Sequence, residues 1–154
     1  MSTERFLPEK AQRALIKAKI KPGCILHLFC DFIYQPDNKF VIVVHVDYDV
    51  GLMLVFLINS RIHPLIENNP TLKACQISLK KSKYPFLDHD SYLNCCEVFD
   101  SLDIDTAIDH LLRYPKDFKG QLLEEESLEV IQAVNTARTI SEYDKSLIIE
   151  SLGD

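Results

Sequence analysis

Lys39-Phe40-Val41-Ile42-Val43-Val44-His45-Val46-Asp47 and, after Asp49-Val50-Gly51, Leu52-Met53-Leu54-Val55-Phe56-Leu57-Ile58-Asn59 form the stretch whose reading decides the fold. Dense in β-branched and aromatic residues and broken by turn chemistry, it reads as two strands joined by a tight turn. Neither run alternates cleanly between apolar and polar residues. Both are too apolar for a sheet wetted on one side, and they fit a small closed or sandwiched barrel with helices packed on it.

Outward from this hairpin, Cys24 to Phe32 is another apolar run, linked to Lys39 through Pro36-Asp37-Asn38. Ala74 to Leu79 alternates as a strand, and Leu93 to Phe99 reads as a further one. Before the strands, Pro8 suits a first helical turn and Glu9 to Ile20 has helix-forming content. Its expected apolar face is Ala11, Ala14, Leu15 and Ala18, and Pro22-Gly23 ends it. After the strands, Ser101 or Asp103 can cap a helix to about Tyr114 that buries Ala107, Ile108, Leu111 and Leu112. Residues 124–138 repeat the pattern with Leu128, Ile131, Val134 and Ala137, and Ser141 opens a last helix with Leu147, Ile148 and Leu152. The expected class is α+β in one domain, 1–154: an N-terminal helix (1–21), a β-barrel core (22–100) and a helical C-terminal part (101–154).

With 154 residues, 47% hydrophobic and 26% charged, the chain is globular rather than disordered. No apolar run reaches the ~20 residues of a membrane helix, and the first residues lack a signal peptide's apolar core, so a cytoplasmic location is expected. Cys24, Cys30, Cys75, Cys95 and Cys96 lack metal-type spacing and read as reduced thiols, with adjacent Cys95 and Cys96 on opposite sheet faces. The net charge of −6 is uneven: six basic against two acidic residues in 1–22 (+4), six against five in 23–85 (+1), five against sixteen in 86–154 (−11). An anionic polymer would therefore meet the first half of the chain.

Phosphate-loop, HExxH, GxSxG and cysteine-zinc signatures are absent. His27 and His45 fall mid-strand, as sheet-face residues or lining a cleft, and read as core or half-buried groups; His110 reads as a solvated helix residue. His63 and His89 fall in strand-exit loops, where functional groups concentrate. Asp88, His89 and Asp90 are contiguous and cannot all face one ion, so no metal or other cofactor is expected. A metal-independent RNA-cleaving site needs a base for the 2′-hydroxyl, a cation for the phosphorane and an acid for the leaving oxygen. Lys39 and Arg61 supply cations, Ser60 a hydroxyl for a phosphate oxygen, and His63 or His89 a proton carrier, with Asn59 and Ser91 as further candidate RNA contacts.

Five segments occur in an ordered series: Pro22-Gly23-Cys24-Ile25-Leu26; Asn38-Lys39-Phe40-Val41-Ile42-Val43-Val44; Ile58-Asn59-Ser60; Leu87-Asp88-His89-Asp90-Ser91-Tyr92-Leu93; and Gly120-Gln121-Leu122 before a helix. From Pro22 to Leu152 this order resembles the PemK/MazF-like toxin family, endoribonucleases of type II toxin–antitoxin systems built on an SH3-like barrel. The resemblance implies RNA cleavage through the 2′-hydroxyl, an antitoxin partner, and a homodimer holding RNA between barrels. Lys39 stands where the family has a catalytic Arg, Phe40 where it has Pro, and Asn59 or Ser60 where it has a catalytic Thr. These departures give the alternative, a non-catalytic barrel that binds protein or nucleic acid.

Overall fold

The computed structural model describes residues 7–153; residues 1–6, part of the expected 1–21 segment, and Asp154 lie outside the described residues. The chain order is α1 (Glu9–Lys19), β1 (Cys24–Cys30), β2 (Asp37–Asp47), β3 (Leu52–Asn59), α2 (Pro64–Glu67), α3 (Pro70–Lys73), β4 (Gln76–Leu79), β5 (Ser91–Phe99), α4 (Ile104–Arg113), a 3-10 turn (Pro115–Asp117), β6 (Phe118–Gln121), α5 (Glu124–Thr136) and α6 (Glu142–Gly153). The strands form one antiparallel sheet in the order β4-β5-β3-β2-β1-β6. It curls as half a barrel, with β4 and β6 at its edges. The architecture is thus mixed α+β. Among the described residues no helix is long and apolar enough to cross a membrane.

The double-sided apolarity of the hairpin has a direct cause: helices cover both sheet faces. Successive strand residues point to opposite faces. Ile42, Val44, Phe56 and Ile58 pack with Leu93, Val130, Val134 and Ile148 under α5 and α6. Val41, Val43, Val55 and Leu57 pack with Ile20, Ala107, Ile108 and Leu111 under α1 and α4. The turn between β2 and β3 is closed by Asp47, whose carboxylate accepts from the Asp49 (3.0 Å) and Val50 (3.1 Å) amides. Gly51 completes it at φ +81°, a region β-carbons disfavour.

Several expectations are corrected at the level of side chains. In α1, Leu15 is 42% exposed; the face toward the core is Ile16 and, one turn on, fully buried Ile20, and presenting this i, i+4 pair turns Leu15 outward. In α5, Leu128 is 60% exposed; Val130 and Ala133 are buried in its place, beside the expected Val134 and, just past the helix, Ala137. Asp103 is the N-cap of α4, its carboxylate accepting from the Thr106 amide at 2.6 Å. Strand β6 was not anticipated; it joins through β1, where Ile25 pairs with Gly120. β5 is irregular: between the Leu57–Asn94 and Val55–Phe99 pairs it carries extra residues. This irregularity puts both Cys95 and Cys96 in the α5–α6 core, against the expectation of opposite faces.

One buried polar contact locks the β4–β5 connection. The Tyr84 hydroxyl donates to Glu126 Oε1 (2.7 Å) and accepts from the Leu123 amide (3.0 Å). Lys83 Nζ reaches Glu126 Oε2 at 3.3 Å and Glu125 at 2.8 Å. Glu126 is therefore buried but fully paired, as a buried carboxylate must be. Burial first, then the Glu126 bond, raises the Tyr84 hydroxyl pKa.

Candidate functional site

On the α5–α6 face the apolar surface continues to the β4 edge. On the α1–α4 face it stops at Leu57, and polar residues follow. Two residues beyond the Val41–Leu57 pair, Lys39 and Asn59 face each other, and Lys39 Nζ donates to Asn59 Oδ1 at 2.8 Å. On β5, Asn94 sits beside Leu57; its Oδ1 accepts from Gln76 Nε2 (2.8 Å) and the Cys96 amide (3.0 Å). Both asparagine oxygens are thus occupied, leaving their amide NH2 groups as donors.

These residues form the floor of a groove of about 580 Å³. The β1–β2 loop, Phe32 to Asp37, makes one wall, and Glu97 and Phe99 of β5 and His63 make the rest. Phe32 packs on Phe99 with ring centroids 5.1 Å apart, which anchors the loop. Tyr34, at the loop tip, is 97% exposed and presents an open aromatic face.

His63 has a defined orientation. It is the N-cap of α2, and its Nδ1 accepts from the Leu65 amide at 3.1 Å. A neutral imidazole that accepts at Nδ1 carries its proton on Nε2, so this ring offers a donor. The groove carboxylates are Asp37 and Glu97. Asp37 Oδ1 accepts from the Asn38 amide at 2.7 Å and so fixes the loop end. Glu97 is the exposed carboxylate on the bulged strand, and it is the groove's candidate proton acceptor.

Of the residues singled out from sequence, Lys39, Asn59 and His63 meet in this groove; Ser60, Arg61, His89 and Ser91 do not line it. Ser60 and Arg61 are exposed just beyond β3. His89 turns onto its own loop, its Nδ1 3.0 Å from the Asp90 carbonyl. Ser91 is buried and donates to the His89 carbonyl at 3.1 Å. The Asp90 carboxylate accepts from the Lys81 amide at 2.8 Å, so the Asp-His-Asp segment closes a turn. Asn94 and Glu97 were missed. The β5 irregularity decides which of its residues face the groove, and no local sequence pattern marks it.

A second gathering of titratable groups lies at the β1–β6 edge. Asp117 is 2.7 Å from His110 Nε2, 3.6 Å from His27 Nδ1 and 3.9 Å from Lys119 Nζ. His110 is therefore partnered rather than simply solvated. This cluster ties α4, the 3-10 turn and β6 to β1. Among the described residues no group of three or more His, Cys, Asp or Glu is arranged to hold a metal ion. Compared with known proteins, the chain matches no protein-family model, and no curated protein matches it either.

Proposed function

We propose that the groove binds single-stranded RNA and cleaves it without a metal, on a module of SH3-like barrel type. The observation that carries this reading is that Lys39, His63 and Glu97 line one groove whose floor is rich in donors. Glu97 takes the 2′-hydroxyl proton, Lys39 and the Asn59 and Asn94 amides meet the phosphate oxygens, and His63 Nε2–H protonates the departing 5′-oxygen. As the 2′-oxygen attacks phosphorus the P–O5′ bond breaks, leaving a 2′,3′-cyclic phosphate on one fragment and, with the proton from His63, a free 5′-hydroxyl on the other. Phe32, Tyr34 and Phe99 offer ring surfaces for unstacked bases. This assignment moves the base from histidine to Glu97, because the capped His63 is a donor. The ordered sequence segments support the further reading that the chain is the toxin-like part of a toxin–antitoxin or phage-defence system. Its partners would be an antitoxin protein and a second copy of the chain.

The test is cleavage of varied single-stranded RNAs in EDTA by the unmodified protein, Lys39→Ala, His63→Ala and Glu97→Gln. Each substitution is expected to cost about 100-fold or more in rate. A second reading, RNA binding without cleavage, is favoured by one observation: the groove's lysine is already engaged by Asn59. Intact RNA together with measurable binding would select that reading, and intact RNA without binding would reject both.

A further inference from the structure

We propose that Cys75 and Cys96 are a modification site, a thiol pair that closes to an intramolecular disulfide and stiffens one wall of the groove. The strands bring the two together. Gln76 pairs with Asn94, and one step on, the Cys95 amide donates to the Cys75 carbonyl at 2.9 Å. Cys96 then turns back toward β4, with its Sγ 3.3 Å from Gln76 Nε2 and 3.0 Å from the Leu72 carbonyl. Cys75 Sγ lies 3.7 Å from the Thr71 carbonyl, which is next along α3 to the Leu72 carbonyl that Cys96 Sγ reaches. Both thiols thus sit under one turn of helix, α3.

In the closed structure the pair is inert. Burial pushes the Cys96 thiol up to about 11, and both residues are buried. The cover over them is thin. Neither α2 nor α3 contributes a buried residue. The α3 turn is held at its start by Asn69 Oδ1, which accepts from the Thr71 (3.1 Å) and Leu72 (3.3 Å) amides. Opening of this turn exposes both thiols to a low-molecular-weight disulfide such as oxidised glutathione. The Cys96 thiolate attacks one glutathione sulfur and displaces one glutathione thiolate. The Cys75 thiolate then attacks the Cys96 sulfur of the mixed disulfide and displaces the second. The two cysteine protons end on the two released glutathiones. The groove feels the bridge because Cys96 adjoins Glu97 and its amide holds Asn94. The consequence for RNA rests on the function proposed above; the bridge itself does not.

The experiment treats the reduced full chain with oxidised glutathione, blocks remaining thiols with N-ethylmaleimide and maps peptides by mass spectrometry. A Cys75–Cys96 bridge is expected, with slower amide hydrogen exchange over 70–76 and 94–98. Cys95→Ser should keep the bridge and Cys96→Ser should lose it. Asn69→Ala should speed closure about five-fold, the factor of a typical lost N-cap. The proposal is overturned if the wild-type chain keeps five blocked thiols, if glutathione adducts accumulate without an internal bridge, or if Cys95 takes the place of Cys96. It is equally overturned if the bridge forms while exchange in both segments is unchanged. The peptide map needs no variant and no RNA.

Discussion

The two faces of the sheet are made by the same strands and end differently. Toward α5 and α6, Ile42, Val44, Phe56 and Ile58 run into Ile77, Leu79 and Leu93, so the apolar layer is continuous to the β4 edge. Toward α1 and α4, Val41, Val43, Val55 and Leu57 give way to Lys39, Asn59 and Asn94, and the groove opens where the helices stop covering the sheet. Polar contacts on the first face, such as Tyr84 to Glu126, are sealed and serve stability. Those on the second face border an opening and leave donors unused. The difference separates residues whose loss should unfold the protein from residues whose loss should silence it.

That separation can be broken most decisively at Phe56. Phe56→Ala empties a fully buried ring position and is expected to cost about 3–5 kcal/mol, read as a lower midpoint in urea denaturation. A smaller cost would mean that the α5–α6 face is loosely packed. Tyr84→Phe comes next, at about 1–3 kcal/mol, because Glu126 and the Leu123 amide lose a buried partner. The same residue gives a pH test. Its folded pKa is raised above the ordinary tyrosine value of about 10 by burial and by the bond to Glu126, so the folded chain keeps the proton that the unfolded chain releases. Its contribution is complete below about pH 10 and falls as pH rises beyond it, since the folded state then binds more protons than the unfolded one. Tyr84→Phe should flatten that alkaline decline; an unchanged decline would assign it to other groups. Glu97→Gln sharpens the comparison from the other side. As an exposed groove residue it should shift stability by no more than about 0.5 kcal/mol. A larger loss would make the groove wall part of the core.

How much of this was legible in the sequence depended on how local the determining physics is. The β2–β3 hairpin was readable because β-branched density and the Asp49-Val50-Gly51 turn act within a few residues. The cap at Ser141 was readable for the same reason, its Oγ accepting from the Asp144 amide at 3.1 Å, and Asp103 was one of the two cap candidates for α4. Strand β6 was not, since Phe118-Lys119-Gly120-Gln121 has little strand character and is held by pairing with β1. The helical faces were misread where two apolar stripes compete, as with Leu128 against Val130. In the site, Lys39, Asn59 and His63 lie at strand ends that the pattern defines. Asn94 and Glu97 depend on the irregular register of β5, and the Asp117 cluster joins residues from four separate elements.

The central claim is that single-stranded RNA occupies the groove on the α1–α4 face. The most direct measurement adds a 2′-O-methyl RNA oligonucleotide, which cannot supply the 2′-hydroxyl nucleophile, to the isotope-labelled chain and follows backbone amide resonances. The account predicts shifts confined to the Phe32–Asp37 loop, Lys39, Asn59, His63, Asn94 and Glu97. Shifts centred on α5, α6 or the β4 edge with the groove unmoved would contradict it, as would no shift at all.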